Sequence, residues 1–503
     1  MLPLRQPLLL LLACACCRPV AETATAVGPA GREPRATHPL RITIDAHKPG
    51  RRVSPLLFGT NLEPNAEVSA QVTRFVRSIG ITTYRFPGGG SVGWRWTRGV
   101  LDNASEMNRC PLARLDAVKR FVEAAGGEVV MQLNIETGTA DEAAALLRWM
   151  RDPSHAFRGN YFEVGNEPYG NWDAAYSTPA TYARKVREFA AKLRAVDPRV
   201  KVGALLGGEY YDVDRWSDSV DNSSWDRLVL EGAGEVIDFV SMHWYPGDRK
   251  REDPLHVMGN SLKIPRLVGR IRRLDAAHSP PRKRELEIGF LEWDGVFDQE
   301  TTGMRHTLAN AIMYADAYMQ MASAGVSLAN HYELHTRSYG LFVGYDDCMK
   351  GRPGMEKRFA RFDGRIRPKA FALQLAARMA GGQLLDTRVA GSTSYRVTTH
   401  RAADEYEGDV PHWAAYAARH ADRLTLLIIS RHPSSAAAAR IRVEGFVPQG
   451  RASLFVLTGP ALTASNEERA GVVEIRERTI EVDRSFTLVV PPASVSLVEI
   501  RGR

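Results

Sequence analysis

The sequence predicts an α/β fold in which a (β/α)8 TIM barrel is followed by an all-β sandwich domain. From Ser54 onward, short apolar runs alternate with helical stretches, and after Gly381-Gly382 the pattern changes to short strands separated by turns. Alternating strands and helices are typical of a parallel sheet, and eight such units can close into a barrel. A chain of 503 residues is long enough for a barrel and a smaller domain.

The composition is that of an ordinary soluble globular protein, with 44% hydrophobic and 25% charged residues. The formal net charge of +8 comes with arginines that are spread along the whole chain. Because the positive charge is not gathered into one stripe, the sequence argues against nucleic acid as a partner.

Residues 1–26 have the three parts of a secretory signal peptide: a basic Arg5, an apolar core from Leu8 to Leu12, and a small-x-small exit at Ala24-Thr25-Ala26. The apolar core is too short to cross a membrane, and we expect no membrane span elsewhere. The sequence therefore predicts a secreted, periplasmic or cell-surface protein, with a lipid anchor at Cys14 as the alternative.

The remaining chain divides by its patterning. Residues 27–39 are rich in proline, glycine and arginine and are predicted to form a flexible lead-in. Residues 40–52 begin with the alternating run Leu40–Asp45, which predicts a strand that has one solvent-exposed face and joins the sandwich. The catalytic barrel is predicted over residues 53–380 and the β-sandwich over residues 381–503.

The barrel strands are predicted where β-branched and apolar residues cluster. They are Leu56–Asn61, Ile81–Phe86, Val129–Asn134, Tyr161–Glu167, Val200–Leu205, Ile237–His243, Leu286–Glu292 and Val326–Tyr332. A helix is predicted over Pro179–Val196, with Thr178 as its cap. The last barrel helix is predicted over Arg367–Ala380, where Gly381-Gly382 ends it.

Two of the predicted barrel strands end on a glutamate, Glu167 and Glu292. Because the carboxyl ends of the strands meet at one rim of a barrel, we expect the two carboxyl groups to face each other. Such a pair is what glycosidic bond cleavage requires, with Glu292 as the ionised nucleophile and Glu167 as the acid/base. A retaining enzyme needs ~5 to 5.5 Å between the carboxyl groups, and an inverting one ~6.5 to 9.5 Å.

Polar or aromatic side chains follow most of the other predicted strands. Each has a structural explanation when taken singly, because buried arginines pair with acids and large aromatics fill cores, but their shared position favours a substrate site. Arg85 is a natural counter-ion for Glu292, and Asn166 could bond the sugar hydroxyl beside the reacting carbon. The predicted substrate-binding residues are Glu63, Arg85, Asn134, Asn166, His243, Tyr245, Trp96 and Trp293. The histidine and acid spacings match no metal-site pattern, so neither a metal nor a cofactor is expected.

These residues resemble the motifs of clan A glycoside hydrolases, whose Asn-Glu on strand four and Glu on strand seven are matched by Asn166-Glu167 and Glu292. Within the clan the chain is most similar to the α-L-arabinofuranosidases of glycoside hydrolase family 51. Their first-strand motif, whose final Glu binds the sugar, resembles Phe58–Glu63, and their Arg-Tyr-Pro-Gly-Gly with a downstream Tyr-x-Trp resembles Tyr84–Gly89 with Gly93–Trp96. The resemblance implies a retaining, exo-acting arabinofuranosidase whose substrate is an oligo- or polysaccharide.

Three features depart from the family pattern or leave alternatives open. Gly90-Ser91 stands where the family usually has Asn, and Pro168 is also found in β-xylosidases and uronidases of the clan. The basic segment Met349–Lys369 is either a solvated loop or, if it lines the groove, a sign of an acidic glycan. The alternatives are therefore a β-xylosidase or uronidase and, in another class, a catalytically inactive carbohydrate-binding protein. The sequence leaves open the linkage, exo or endo action, the oligomeric state and a disulfide between Cys110 and Cys348.

Overall fold

The structure contains a closed barrel of eight parallel strands and, after it, an all-β domain, as the sequence predicts. This computed structural model describes residues 36, 38–64, 68–89, 91, 93–102, 112–170, 177–207, 225–247, 250, 252–297, 301–336, 338–343, 363–397 and 408–502. The predicted signal peptide, both cysteines that follow it and residues 349–362 of the basic segment lie outside these residues. Within the described ranges, no helix has both the length and the apolar character of a membrane span.

The strands alternate with helices in the first part of the chain and follow one another in the last part. In chain order the strands are β1 (His38–Arg52), β2 (Gly59–Asn61), β3 (Thr83–Phe86), β4 (Trp94–Arg95), β5 (Val100–Leu101), β6 (Glu128–Leu133), β7 (Tyr161–Val164), β8 (Lys201–Leu206), β9 (Phe239–Trp244), β10 (Glu287–Trp293), β11 (Leu328–His331), β12 (Gln383–Ala390), β13 (Ser394–Val397), β14 (Gly408–Pro411), β15 (Trp413–Arg419), β16 (Arg423–Ser430), β17 (Ala437–Glu444), β18 (Pro448–Thr458), β19 (Glu474–Glu481), β20 (Ser485–Val490) and β21 (Ser494–Gly502).

The helices pack around the barrel, and several of them begin at a side-chain cap or end at a glycine. They are α1 (Ala70–Ile79), α2 (Leu115–Ala125), α3 (Ala140–Arg151), α4 (Pro179–Val196), α5 (Trp225–Ala233), α6 (Pro254–Gly259), α7 (Ile264–His278), α8 (Leu308–Ala324) and α9 (Pro368–Ala377). The Thr178 side chain accepts a hydrogen bond from the backbone of Thr181 at the start of α4, as predicted. Thr139 and Glu142 form a reciprocal capping box at the start of α3.

The barrel closes in the order β10-β11-β2-β3-β6-β7-β8-β9. Inside the barrel, toward the amino ends of the strands, apolar side chains such as Val130, Tyr161 and Phe239 pack together. Two residues further along each of these strands, the side chains that point inward are Gln132, Glu163 and Ser241, and all three are buried. Because side chains alternate along a strand, this polar layer lies at the carboxyl end of the barrel, directly above the apolar one.

A register shift in β10 determines which way its last side chains point. The pairing with β9 and β11 is interrupted after Phe290, so that Glu292 aligns with His243. Leu291 belongs to the interior apolar cluster, and strict alternation would turn the next residue outward. The irregularity keeps Glu292 on the inner side of the barrel and turns Trp293 outward against α8.

The all-β domain is built on one hydrogen-bonded sheet that includes the N-terminal strand. Its order among the described residues is β19-β18-β21-β16-β15-β12-β1-β17-β20. β1 pairs with β12 in the antiparallel sense and with β17 in the parallel sense, so it lies between strands from the end of the chain. Strands from both halves of the sheet share one apolar core. The sequence predicts strands of this domain at Leu424–Ser430, Ala439–Val443, Ala452–Leu457, Val472–Ile475, Phe486–Val490 and Val495–Ile500, and β12, β13, β14 and β15 are not among them.

The last residues of the basic segment are part of the protein interior. Arg367 and Lys369 are each 1% exposed. Arg367 pairs with Glu467 of the all-β domain at 2.7 Å, and the Lys369 ammonium lies 2.6 Å from the carboxylate of Asp294. The prediction of a solvated loop is therefore wrong for these two residues, because each cation has a partner that makes burial tolerable.

Candidate active site

The two predicted catalytic glutamates meet at the carboxyl end of the barrel. Glu167 lies just beyond β7 and Glu292 lies near the end of β10. A carboxylate oxygen of Glu167, one of Glu292 and a ring nitrogen of His243 all lie within 4.8 Å of one another. The side chains of Glu167 and Glu292 are 13% and 8% exposed, so both carboxyl groups border the opening of the barrel without being immersed in water.

Arg85 of β3 is the centre of the hydrogen-bond network beneath the two acids. Its Nε donates to Glu163 at 2.6 Å, and its Nη1 donates to Glu292 at 3.0 Å and to Asn61 at 2.9 Å. Its Nη2 donates to the Asn166 side-chain oxygen at 2.9 Å. The predicted contact between Arg85 and Glu292 is therefore present, but the guanidinium also has a second carboxylate partner in Glu163.

His243 of β9 lies between the carboxyl groups. Its Nδ1 is 2.8 Å from Oε1 of Glu167 and 3.6 Å from Oε2 of Glu292. On the other side of the ring, Nε2 is 3.9 Å from Oε1 of Glu163. Burial lowers the pKa of His243, but the three surrounding carboxylates outweigh burial and raise that pKa to about 9. The carboxylates thus favour the charged imidazole against the Arg85 guanidinium, whose Nη2 lies 3.4 Å from Nε2, and Nδ1 is placed to donate to Glu167.

Glu292 receives hydrogen bonds on both of its oxygens. Arg85 donates to Oε2, and the Tyr245 hydroxyl donates to Oε1 at 2.9 Å. Burial raises the pKa of Glu292, and the nearby charge of Glu167 adds to the rise, whereas His243 and Arg85 act in the opposite direction. Since the two acids are this close, they titrate as a pair and compete for the same proton.

Glu63 forms one side of the opening, next to a tight glycine turn. The Tyr332 hydroxyl donates to Oε1 of Glu63 at 2.8 Å. A Cβ atom on Gly89 would lie 2.5 Å from that hydroxyl and 2.8 Å from Oε1 of Glu63, and Gly89 has a φ of +47°. The paired glycines of the sequence motif therefore allow the backbone to approach this pair closely.

The backbone of Glu167 itself adopts an unusual conformation. Its φ is +35°, in the left-handed region that residues other than glycine rarely occupy. Such conformations cost about 1–3 kcal/mol and cluster at functional sites. The strained turn at Glu167 aims the carboxyl group at His243 and Glu292 rather than away from the barrel.

Three of the predicted substrate-binding residues contact groups outside this network. Trp293 is fully buried and stacks on Tyr314 of α8 at 4.5 Å, so the prediction that its ring contacts substrate is wrong. The Asn134 side chain accepts hydrogen bonds from the backbone of the next turn, including Glu136 at 3.0 Å, and donates to Thr137. Trp96 packs against α3 through Trp149. The last two residues support the loops beside the site, which is the ordinary structural role of such residues.

Two members of the site, Glu163 and Tyr332, are not predicted from the sequence. Glu163 lies within β7, four residues before Glu167, so it is not one of the polar groups at the strand ends. A charged residue in an otherwise apolar strand is nevertheless a signal, because it requires a buried partner. Tyr332 ends the eighth predicted strand, but no role is predicted for it.

The separations within the Glu167, His243 and Glu292 triplet would also suit a metal ion. The Arg85 guanidinium contacts two of these three residues, at 3.0 Å from Oε2 of Glu292 and 3.4 Å from Nε2 of His243, and its charge opposes a second cation at the same place. The arrangement fits a pair of acids with positively charged neighbours better than a metal centre.

Comparison with known proteins places this site in a class. Residues 367–494 match the family model described as the alpha-L-arabinofuranosidase C-terminal domain. An exo-α-(1→6)-L-arabinofuranosidase of Bifidobacterium longum is 24% identical over 86% of this chain and 88% of its own. An intracellular exo-α-(1→5)-L-arabinofuranosidase of Halalkalibacterium halodurans is 24% identical over 44% of this chain and 48% of its own. The GH51 α-L-arabinofuranosidase structure from Thermotoga petrophila has the same fold, with a TM-score of 0.73 and 24% identity over 92% of this chain and 99% of that one.

The barrel, the paired acids at its rim and these matches define the class: the chain is a glycoside hydrolase. Among glycoside hydrolases it is similar to the family 51 α-L-arabinofuranosidases of clan A, as the sequence motifs predict.

Proposed function

We propose that this glycoside hydrolase is a retaining, exo-acting α-L-arabinofuranosidase that releases terminal arabinofuranosyl groups from glycans. The observation that carries the proposal is the separation of less than 4.8 Å between oxygens of Glu167 and Glu292. Retaining enzymes hold their carboxyl groups ~5 to 5.5 Å apart, whereas inverting enzymes leave room for a water molecule between them. The relatives whose names specify arabinofuranosidase activity support the choice of sugar.

In the first step, a carboxylate oxygen of Glu292 attacks the anomeric carbon while Glu167 gives its proton to the leaving oxygen. The glycosidic C–O bond breaks, the leaving alcohol departs, and the sugar is held by an ester bond to Glu292. Arg85 and Tyr245 donate to the Glu292 carboxylate and hold it at the reacting carbon. Asn166 is fixed by Arg85 beside Glu167, where it can bond a sugar hydroxyl.

In the second step, Glu167 takes a proton from a water molecule, whose oxygen attacks the anomeric carbon and displaces Glu292. Two inversions leave the configuration of the sugar unchanged. The His243 ring lies 2.8 Å from Glu167 and stabilises its charged form in this step.

A uronidase, the alternative from the basic segment, gains no support from the described end of that segment. Arg367 and Lys369 are paired with Glu467 and Asp294 in the interior, so neither cation is available to a uronate. An inactive carbohydrate-binding protein would not need two carboxyl groups whose oxygens lie within 4.8 Å of each other.

We also propose that the chain is exported. The basic start at Arg5, the apolar run from Leu8 and the small residues near Ala26 support this proposal. The name of the relative from Halalkalibacterium halodurans describes it as intracellular, so export would distinguish this chain from that protein. Fractionation of the producing cells and N-terminal sequencing of the mature protein test it: a mature N-terminus near Val27 is expected, and an intact Met1 in the cytoplasmic fraction contradicts it.

The activity is tested with a panel of aryl α-L-arabinofuranosides, β-xylosides and β-glucuronides, with NMR detection of the first sugar anomer released. We expect the arabinofuranoside to be hydrolysed fastest and the α anomer to appear first. Faster hydrolysis of the xyloside or the glucuronide would support the alternatives. If the β anomer is the first product released from the α-L-arabinofuranoside, the retaining mechanism is excluded.

A further inference from the structure

We propose that Glu163 is a positioning residue of this active site: its buried carboxylate fixes Arg85 and His243 and keeps one proton on the Glu167–Glu292 pair. The inference deepens the proposed function and rests on it. Glu163 does not reach the opening, because its side chain is fully buried within the polar layer of the barrel. It would therefore act on the reaction through its neighbours and not by touching the sugar.

The geometry of Arg85 is the first argument. The short contact of 2.6 Å from Nε to Glu163 directs the other end of the guanidinium toward Glu292 and Asn166. Without Glu163, Glu292 would be the carboxylate that alone balances the positive charge of the buried Arg85. With Glu163 present, Arg85 is already balanced, so it can orient Glu292 without making that acid an excessively weak nucleophile.

The charge balance of the layer is the second argument. Two cations, Arg85 and His243, face three carboxylates, those of Glu163, Glu167 and Glu292. When one carboxyl group of the reacting pair carries a proton, the charges sum to zero, which is the favoured state in a buried site. A retaining glycosidase needs this state, with one acid protonated and the other ionised.

Other titratable groups border the layer, and the tyrosines among them do not change this balance at neutral pH. Tyr245 lies above Glu292, Tyr332 and Glu63 lie at the edge of the opening, and Tyr182 of α4 lies outside β7. Burial raises the pKa of each of these three tyrosines, so they remain neutral. Burial also opposes the charge on Glu163, but Arg85 and His243 hold its pKa below the usual value, so Glu163 stays ionised.

Removal of the Glu163 charge should make the whole layer more positive and lower the proton affinity of its neighbours. In Glu163→Gln, Glu167 would then lose its catalytic proton at a lower pH, so the alkaline limb of the kcat profile moves to lower pH by about one to two units. Glu163→Asp keeps the negative charge, so its kcat should fall at the same alkaline pH as that of the wild type. Its maximal kcat should be lower, because the shorter side chain holds Arg85 less firmly. Tyr182→Phe changes a buried neighbour of β7 without a change of charge, and because its hydroxyl bonds the backbone of Val164 and Leu205 it is the matched control.

The experiment measures kcat against pH for the wild type and the three variants, with an aryl arabinofuranoside whose poor leaving group makes protonation by Glu167 rate-limiting, and with thermal unfolding of each protein. We expect the alkaline fall in kcat to occur at a lower pH in Glu163→Gln and at the wild-type pH in the other variants. If kcat of Glu163→Gln falls at the same pH as that of the wild type, the proposal is overturned. If Glu163→Gln does not fold, Glu163→Asp decides: a wild-type limb supports the role of the charge, and a displaced limb overturns it. Absence of hydrolysis by the wild type is a failure of the proposed function and is seen before any variant is compared.

Discussion

The side chains of the site are held by contacts that leave little freedom to the reacting groups. Arg85 donates to four acceptors that lie on or just after three strands, β2, β7 and β10, and Tyr245 and His243 hold one acid each. Charge-assisted hydrogen bonds of this kind are stronger than neutral ones and also fix orientation. At this scale the protein prepares two carboxyl groups for different roles by giving them different neighbours.

The Tyr245 hydroxyl should tune the nucleophile. Its hydrogen bond to Glu292 favours the charged carboxylate, so Tyr245→Phe should raise the pKa of Glu292. Because the nucleophile must be ionised, the acidic limb of the kcat/KM profile should move to higher pH, with a loss of about 10-fold or more at the optimum. Tyr182→Phe is the control, since its hydroxyl bonds only the backbone of Val164 and Leu205. Equal acidic limbs in Tyr245→Phe and the wild type would contradict this role.

His243 should couple stability to alkaline pH. Its pKa is raised from 6.5 to about 9 in the folded protein, so its contribution to the free energy of unfolding is full below pH 6.5 and is lost as the pH rises through 9. A shift of this size corresponds to about 3 kcal/mol. Thermal unfolding across this range should show a steeper alkaline loss for the wild type than for His243→Gln. Parallel curves would show that His243 is not charged in the folded state. The buried Lys369 also titrates near pH 8, but it is present in both proteins and cancels in the comparison.

Among the elements, the turn after β3 shows why the paired glycines are needed. Gly89 approaches Tyr332 and Glu63 too closely for any side chain, so Gly89→Ala should displace that pair. If Glu63 bonds the sugar, the loss in kcat/KM is about 10- to 100-fold. Gly126→Ala is the matched control: Gly126 has a φ of +84° with nothing within 4 Å of the added carbon, so this variant should lose about 1 kcal/mol of stability and no activity. Equal kcat/KM values for the two variants would contradict the assigned role of the turn.

The elements also show what sequence patterns could and could not predict. The barrel, the order of its strands and the paired acids follow from apolar runs that end on polar residues, because strand ends share one rim. The direction of Trp293 could not be predicted, since it depends on the register shift in β10, which leaves no local mark in the sequence. The role of Glu163 could not be predicted either, because it depends on a contact with Arg85, which is distant in the chain. β1 could be assigned to the all-β domain, but its parallel pairing with β17 could not.

At the scale of the whole molecule, the barrel and the all-β domain share a buried ion pair. Asp316 of α8 and Arg431, which follows β16, are both fully buried and lie 2.6 Å apart. Tyr416 donates to Asp316 at 2.7 Å, and Arg431 donates to the backbone oxygen of Pro411 at 3.1 Å. Polar groups at the centre of an interface that are satisfied in this way fix how two domains meet.

Loss of one partner of this pair should therefore destabilise the whole molecule. Arg431→Met leaves Asp316 buried without its counter-ion and should lower the free energy of unfolding by about 3–5 kcal/mol. Arg440→Met removes an exposed arginine from the same domain and should change it by less than about 0.5 kcal/mol. Denaturant unfolding followed by tryptophan fluorescence measures both, and an equal effect of the two substitutions would show that the pair does not hold the domains together.

The central claim is that Glu292 forms a covalent bond to the sugar while Glu167 supplies and removes the proton. Mass spectrometry of Glu167→Ala after mixing with an arabinofuranoside that carries a good leaving group tests it most directly, because the first step then proceeds and the second is slow. The account predicts a protein heavier by one pentosyl group, with the adduct on the peptide that contains Glu292. An adduct on any other residue, or full hydrolytic activity in Glu292→Gln, would contradict it.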